Sequence, residues 1–210
     1  MLEWTEYAKI FLALLVIVNP VGAVPLFAAM TADNNEGEKK RIARTSSTAV
    51  AIVLIVAAVG GQPLLAFFGI TIASFKVGGA ILILLLAISM MHGEQSKEKQ
   101  TPAEAREAED KERIAVVPLA IPLLSGPGAI STIIIYATAQ SSMAHLAAII
   151  ACGVLVALVT WIALRVATPV SQWLGKTGVN IAMRLMGLLL AAVAVEIFAS
   201  GIVVLLPGLR

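Results

Sequence analysis

The chain has 210 residues, of which 59% are hydrophobic and 13% charged, with a formal net charge of +2. A soluble globular domain carries about 25% charged residues. The composition therefore excludes an ordinary soluble domain, and so small a net charge excludes a nucleic-acid-binding surface as a main role.

The charges fall between six apolar runs, each near the ~20 residues that cross hydrocarbon as a helix. The expectation is an all-α polytopic membrane protein with the lipid bilayer as its first partner. The first run spans about Tyr7–Met30. Glu3 and Glu6 precede the first base, Lys9, so the start does not resemble a positively charged secretory leader and the run is expected to be a retained span. The segment Asn19-Pro20-Val21-Gly22-Ala23, followed by Pro25, interrupts it. The polar stretch Thr31–Arg44 leads to the second run, Ile42–Gly60, which opens on Thr45, Ser46, Ser47 and Thr48. These hydroxyls are expected to bond back to their own helix. The third run, Ile70–Met91, holds Lys76 and ends at His92.

Residues 93–113 form the longest polar stretch, with both signs of charge and no apolar face, and are expected to be a solvated cytoplasmic loop. The fourth run, Ile114–Ala139, is crowded with Pro118, Pro122, Gly126, Pro127 and Gly128. The fifth, His145–Ala167, contains the lone Cys152, expected to be a small buried apolar residue. The sixth, Asn180–Leu206, holds Arg184 and Glu196. His92 and His145 fall at span ends without metal-ligand spacing, so both are expected to be interfacial and no metal is implied.

The two halves repeat one another. Asn19-Pro20 corresponds to Gly126-Pro127, Pro63…Gly69 to Pro169…Gly175, and Lys76…Gly79 to Arg184…Gly187, at offsets of 107, 106 and 108 residues. The halves are 1–92 and 114–210, joined by 93–113. With three spans in each, the second half must enter the membrane the other way up, which is an inverted-topology repeat. Lysine and arginine bias agrees: twelve of the fifteen bases fall in or beside the first, third and fifth connections. That places those connections in the cytoplasm and both termini outside.

Two broken helices in corresponding places point to a transport site. A half-helix starting at each break would aim N–H groups and a positive dipole end at a carboxylate. Candidate site residues are Asn19, Pro20, Gly22 and Pro25 in the first break, and Ser125, Gly126, Pro127, Gly128, Ser131 and Thr132 in the second. Glu196 is the one acid of thirteen placed within a span, expected to be buried with a raised pKa and so a proton-coupling candidate. Lys76 and Arg184 are gate or interface candidates at opposite mouths. Phosphate-loop, zinc-helix and nucleophile-elbow motifs are absent from the sequence, so the chain is not expected to be an enzyme or to use a cofactor.

The stretches VNPVGAVPLF, VVPLAIPLLSGPGAIST and RLMGLLLAAVAVEIF resemble the MarC family of bacterial inner-membrane proteins over essentially the whole chain. The resemblance implies the inner membrane, kinship with the LysE-type transporter superfamily, and small neutral amino acids as the substrate class. It marks Asn19, Pro20, Gly22, Pro25, Gly126, Pro127 and Gly128. The expected function is a secondary carrier of glycine- or alanine-sized solutes, with proton coupling and homo-oligomerisation as candidate properties. The alternatives are export of another small metabolite, a channel-like pore, or a scaffold that transports nothing.

Overall fold

The computed structural model describes residues 3–31, 34–92 and 124–206, and among them every regular element is a helix. In chain order these are α1 (Trp4–Val18), α2 (Pro20–Met30), α3 (Glu36–Phe67), α4 (Ile72–His92), α5 (Pro127–Ala137), α6 (Met143–Arg165) and α7 (Ala167–Leu205). Five segments are long and apolar enough to span a bilayer: Trp4–Val24, Glu36–Phe67, Ile72–His92, Met143–Arg165 and Asn180–Leu205. The 93–113 loop and the start of the fourth run, 114–123, lie outside the described residues.

Local chemistry sets the boundaries. The first run breaks where expected, because Asn19 adopts the left-handed conformation (φ 52°) and Pro20 opens a new helix. Helix α3 starts on a capping box: the Glu38 N–H donates to Asn35 Oδ1 at 2.9 Å and the Asn35 N–H to Glu38 Oε2 at 3.0 Å. Its 32 residues reach about 48 Å, well beyond a hydrocarbon core of ~30 Å, so its charged first turns extend past the apolar layer. Pro63 lies inside α3, which continues to Phe67 rather than stopping near Gly60. The two Pro-to-Gly segments end alike, Gly69 at φ 67° and Gly175 at φ 61°, a region glycine occupies without steric cost. Gly175 makes a kink within α7, so its C-terminal part, from about Asn180, is the sixth span.

Corresponding spans of the two halves pack on each other: α1 with α5, α3 with α6, and α4 with α7. All three pairs are antiparallel. On α7, Gly187 faces Ala87 and Met91 near the end of α4, while Gly201 faces Ala73 and Val77 near its start. A Cβ on Gly187 would stand 2.9 Å from the Ala87 carbonyl oxygen, and one on Gly201 3.0 Å from that of Ala73. Lipid gives apolar helices no hydrophobic reason to associate, so close backbone approach through small residues is the physical basis of this pairing. Gly153 of α6 lets Leu54 of α3 approach in the same way. The inverted repeat expected from the offsets is thus the packing plan of the bundle.

Large apolar side chains such as Leu12, Ile52, Leu85, Leu158 and Leu188 cover the outside, as a lipid-facing surface requires. Trp4 and Trp173 are exposed at opposite ends of the bundle, where amphipathic rings settle at the headgroup level.

Candidate functional site

The head of α5 lies in the core, against the end of α1 that leads into α2. Helices α2 and α5 have 11 residues each, about 16 Å, or half the thickness of hydrocarbon. Gly128, in the first turn of α5, is buried against Ile17, two residues before Asn19, and against Ile83 of α4. A Cβ on Gly128 would lie 3.4–3.5 Å from those two side chains.

The heads are chemically different. Asn19 closes α1 and opens α2. Its N–H donates to Leu15 O at 2.9 Å, ending α1, and its Oδ1 accepts the Gly22 N–H at 3.0 Å, capping α2. The Asn19 amide is buried between thioethers, with Nδ2 4.0 Å from Met90 Sδ and Met183 on the far side of Gly22. Pro20 is buried beside it and Gly22 is half-buried. Asn19 Oδ1 is thus committed to the helix end, and Nδ2 is the part of the side chain left with only the thioether contact. Pro25 falls in α2, with its side chain outside the described residues.

At α5 the N-cap is Gly126, which has no side chain to offer, and Pro127 follows without an N–H. The Gly128 N–H therefore lacks an intrahelical partner by position. Ser125 precedes the N-cap, and Thr132 lies one turn beyond Gly128 on the same face of α5. Ser125 is 1% exposed and Thr132 0%, and among the described residues neither hydroxyl has a hydrogen-bond partner. A buried hydroxyl without a partner costs about 1–3 kcal/mol, so these two, one on each side of an uncapped helix end in sequence, are the groups there that could hold a polar occupant. Ser131 points elsewhere. It is buried against Gly79 and belongs to the contact between α4 and α5.

Glu196 stands apart from both heads. It is exposed on the outward face of α7, within the span Asn180–Leu205, rather than enclosed between helices. Lys76 and Arg184 lie toward opposite ends of the α4–α7 pair, Lys76 half-buried against Gly201 and Arg184 exposed.

His145 sits in the first turn of α6, at a span end, and is fully buried among the helices. Its Nε2 lies 2.8 Å from the Tyr136 carbonyl oxygen and its Nδ1 2.9 Å from Tyr7 Oη. A carbonyl oxygen only accepts, so Nε2 carries a proton, and in the neutral ring Nδ1 accepts from the tyrosine. One imidazole thus ties α1, α5 and α6 together. Cys152 is buried as expected, its Sγ 3.7 Å from Tyr7 O, and Ser47 bonds back to Ala43 O at 2.8 Å. Among the described residues no group of three His, Cys, Asp or Glu side chains gathers as a metal site.

Antiparallel counterpart spans, two half-helices and a lipid-facing apolar shell define a polytopic membrane protein built as an inverted repeat. The chain belongs to the MarC family of integral membrane proteins, whose family model matches residues 4–206. It is 39% identical to the UPF0056 membrane protein YhcE of Escherichia coli over 207 residues, 99% of this chain and 96% of the relative. It is 39% identical over 203 residues to the UPF0056 membrane protein BU267 of Buchnera aphidicola, covering 97% of this chain and 94% of that one. A UPF0056 membrane protein of Methanocaldococcus jannaschii is 35% identical over 193 residues, 92% of this chain and 85% of the relative. No solved structure matches the chain.

Proposed function

We propose that the chain is a secondary carrier for small neutral amino acids of glycine or alanine size, with its site at the head of α5. The observation that carries this reading is the pair of buried hydroxyls of Ser125 and Thr132, unpartnered among the described residues and lying on either side of the Gly128 N–H in sequence. A carboxylate placed there would accept from the N–H and both hydroxyls at the positive end of a helix dipole. Ile17 and Ile83 press on Gly128, which leaves little width and favours a solute with a short side chain. The capped head of α2 would serve as a wall rather than a ligand.

Purified protein in liposomes is expected to take up glycine or alanine with saturation and mutual competition. Unsaturable flux would indicate a pore, and no flux of any small solute would indicate a scaffold; either defeats the reading. The proposed location is a bacterial inner membrane. The end carrying Glu36–Arg44, His92 and Arg165 is assigned to the cytoplasm by its bases, and the end carrying Trp4 and Leu205 to the outside. A reporter fused after Arg210 that is active only in the cytoplasm is expected to stay silent.

A further inference from the structure

Two cavities open at opposite ends of the α3–α6 pair. One, of about 170 Å³, is lined by Glu36, Lys39, Lys40, Leu164, Arg165 and Thr168, among others. The second, of about 230 Å³, includes Ala58, Val59, Gln62, Ser142 and Leu146. They are the same cavity built twice. Ala58, Val59 and Gln62 correspond to Leu164, Arg165 and Thr168, and Glu36 and Lys40 to Ser142 and Leu146, each pair 106 residues apart. The repeat that relates the spans therefore relates the cavities, and each serves as a packing control for the other.

The control is informative because the chemistry differs. Where the second cavity has Val59 and Leu146, the first has Arg165 and Lys40. Neutral residues suffice to line this space, so packing does not demand the two cations. Nor are they spent on neighbours. Lys39 pairs with Glu36 at 3.4 Å, but among the described residues no carboxylate pairs with Lys40 or Arg165. The Arg165 guanidinium is held over the Trp161 ring, 5.1 Å from its centroid, which restrains it at the cavity wall. Three cations face one carboxylate around this space, in the part of the bundle that reaches past the apolar layer. A basic pocket between membrane helices at headgroup depth is a site for an anionic lipid headgroup. A guanidinium fork also matches a phosphate oxygen pair better than a lone point charge does.

We infer that this cavity binds a phosphate group, with Arg165 and Lys40 as its ligands, supplied by an anionic phospholipid or by free phosphate. The inference does not depend on the carrier reading, because neither helix head lines the cavity.

The test uses full-length protein in detergent, with native mass spectrometry of bound dioleoylphosphatidylglycerol against dioleoylphosphatidylcholine. The wild type is expected to retain the anionic lipid preferentially. Lys40→Gln and Arg165→Gln are each expected to lower that retention about tenfold, in line with the loss of one charge-assisted hydrogen bond. Leu146→Gln in the second cavity is expected to leave it unchanged. Lys40 is exposed, so its replacement spares the fold, and Arg165→Lys tests for the loss of the fork alone. Displacement of the lipid by millimolar inorganic phosphate would name free phosphate as a second source, and its failure would name the lipid alone. Equal retention of the two lipids, or equal retention by wild type and both Gln variants, would overturn the inference and leave these bases a topological role only.

Discussion

The heads of α2 and α5 occupy corresponding places in the repeat, yet one is closed and the other open. Asn19 spends its side chain on the Gly22 N–H and sits among thioethers. Gly126 has no side chain to spend, and two hydroxyls on either side of it in sequence have no partner among the described residues. The contrast shows how a duplicated element can diverge. The same Pro-initiated half-helix becomes a rigid wall when its N-cap is Asn, and a polar socket when its N-cap is Gly.

The largest expected effect comes from emptying the socket. Ser125→Ala and Thr132→Val each remove a hydroxyl that has no partner among the described residues. If those hydroxyls hold a carboxylate, each substitution should lower kcat/KM for uptake by roughly 10- to 100-fold, the worth of a hydrogen bond to a charged group. The folded protein should gain rather than lose, because a buried unsatisfied group has gone. Weakened uptake with an unchanged or higher melting temperature is therefore the specific signature. Uptake that survives both substitutions would remove the socket from consideration.

A smaller effect should follow from making the heads alike. Gly126 has φ −61° and ψ 175°, ordinary extended geometry for any residue. Gly126→Ser would place a capping oxygen where Asn19 has one. Stability should rise by a few tenths of a kcal/mol, the difference between Gly and Ser at an N-cap. Uptake should fall about tenfold as the cap competes for the backbone donors. A faster transporter in this variant would mean that the open head is not the binding end.

Smaller still is the effect of opening the closed head. Asn19→Ala loses the cap and forces a Cβ-bearing residue into the left-handed region, for a combined cost of about 2 kcal/mol. Asn19→Gly loses the same cap but relieves the backbone, so it should cost less than half as much. The order of their melting temperatures checks whether Asn19 serves the chain or a solute. In the second case Gly and Ala would damage uptake equally while differing little in stability.

Depth in the bilayer was legible in the sequence and rotation about each helix was not. The apolar runs located the spans, Pro20 and Pro127 located the breaks, and the fixed offsets gave the inverted pairing. All of these are positions along the chain. Which way Glu196 faces is a question of rotation, and a membrane helix is apolar on its lipid face and its buried face alike, so periodicity carries little of that information. The burial of His145 was hidden for the same reason. Its partner Tyr7 lies 138 residues away, and only the packing of α1 on α6 brings them together. The capping role of Asn19 was hidden differently: an Asn before a Pro reads equally as a helix cap or a polar ligand until its φ is known. The unpartnered state of Ser125 and Thr132 follows from which residues do not reach them, and no local motif records that.

The smallest effect is expected at Glu196, and it tests the comparison from outside. A carboxylate within a span invites a coupling role, but coupling requires that protonation alter the occupied site. Glu196 lies on the outward face of α7, whereas the head of α5 is packed against Ile17 of α1 and Ile83 of α4. Outward placement separates its side chain from a carboxylate bound at that head. Glu196→Gln should therefore leave both the rate and the pH dependence of uptake in liposomes unchanged, while Ser125→Ala lowers the rate at every pH. A flattened pH profile in Glu196→Gln would show that the open head is not an isolated socket. It would instead be electrically joined to the outward face of α7.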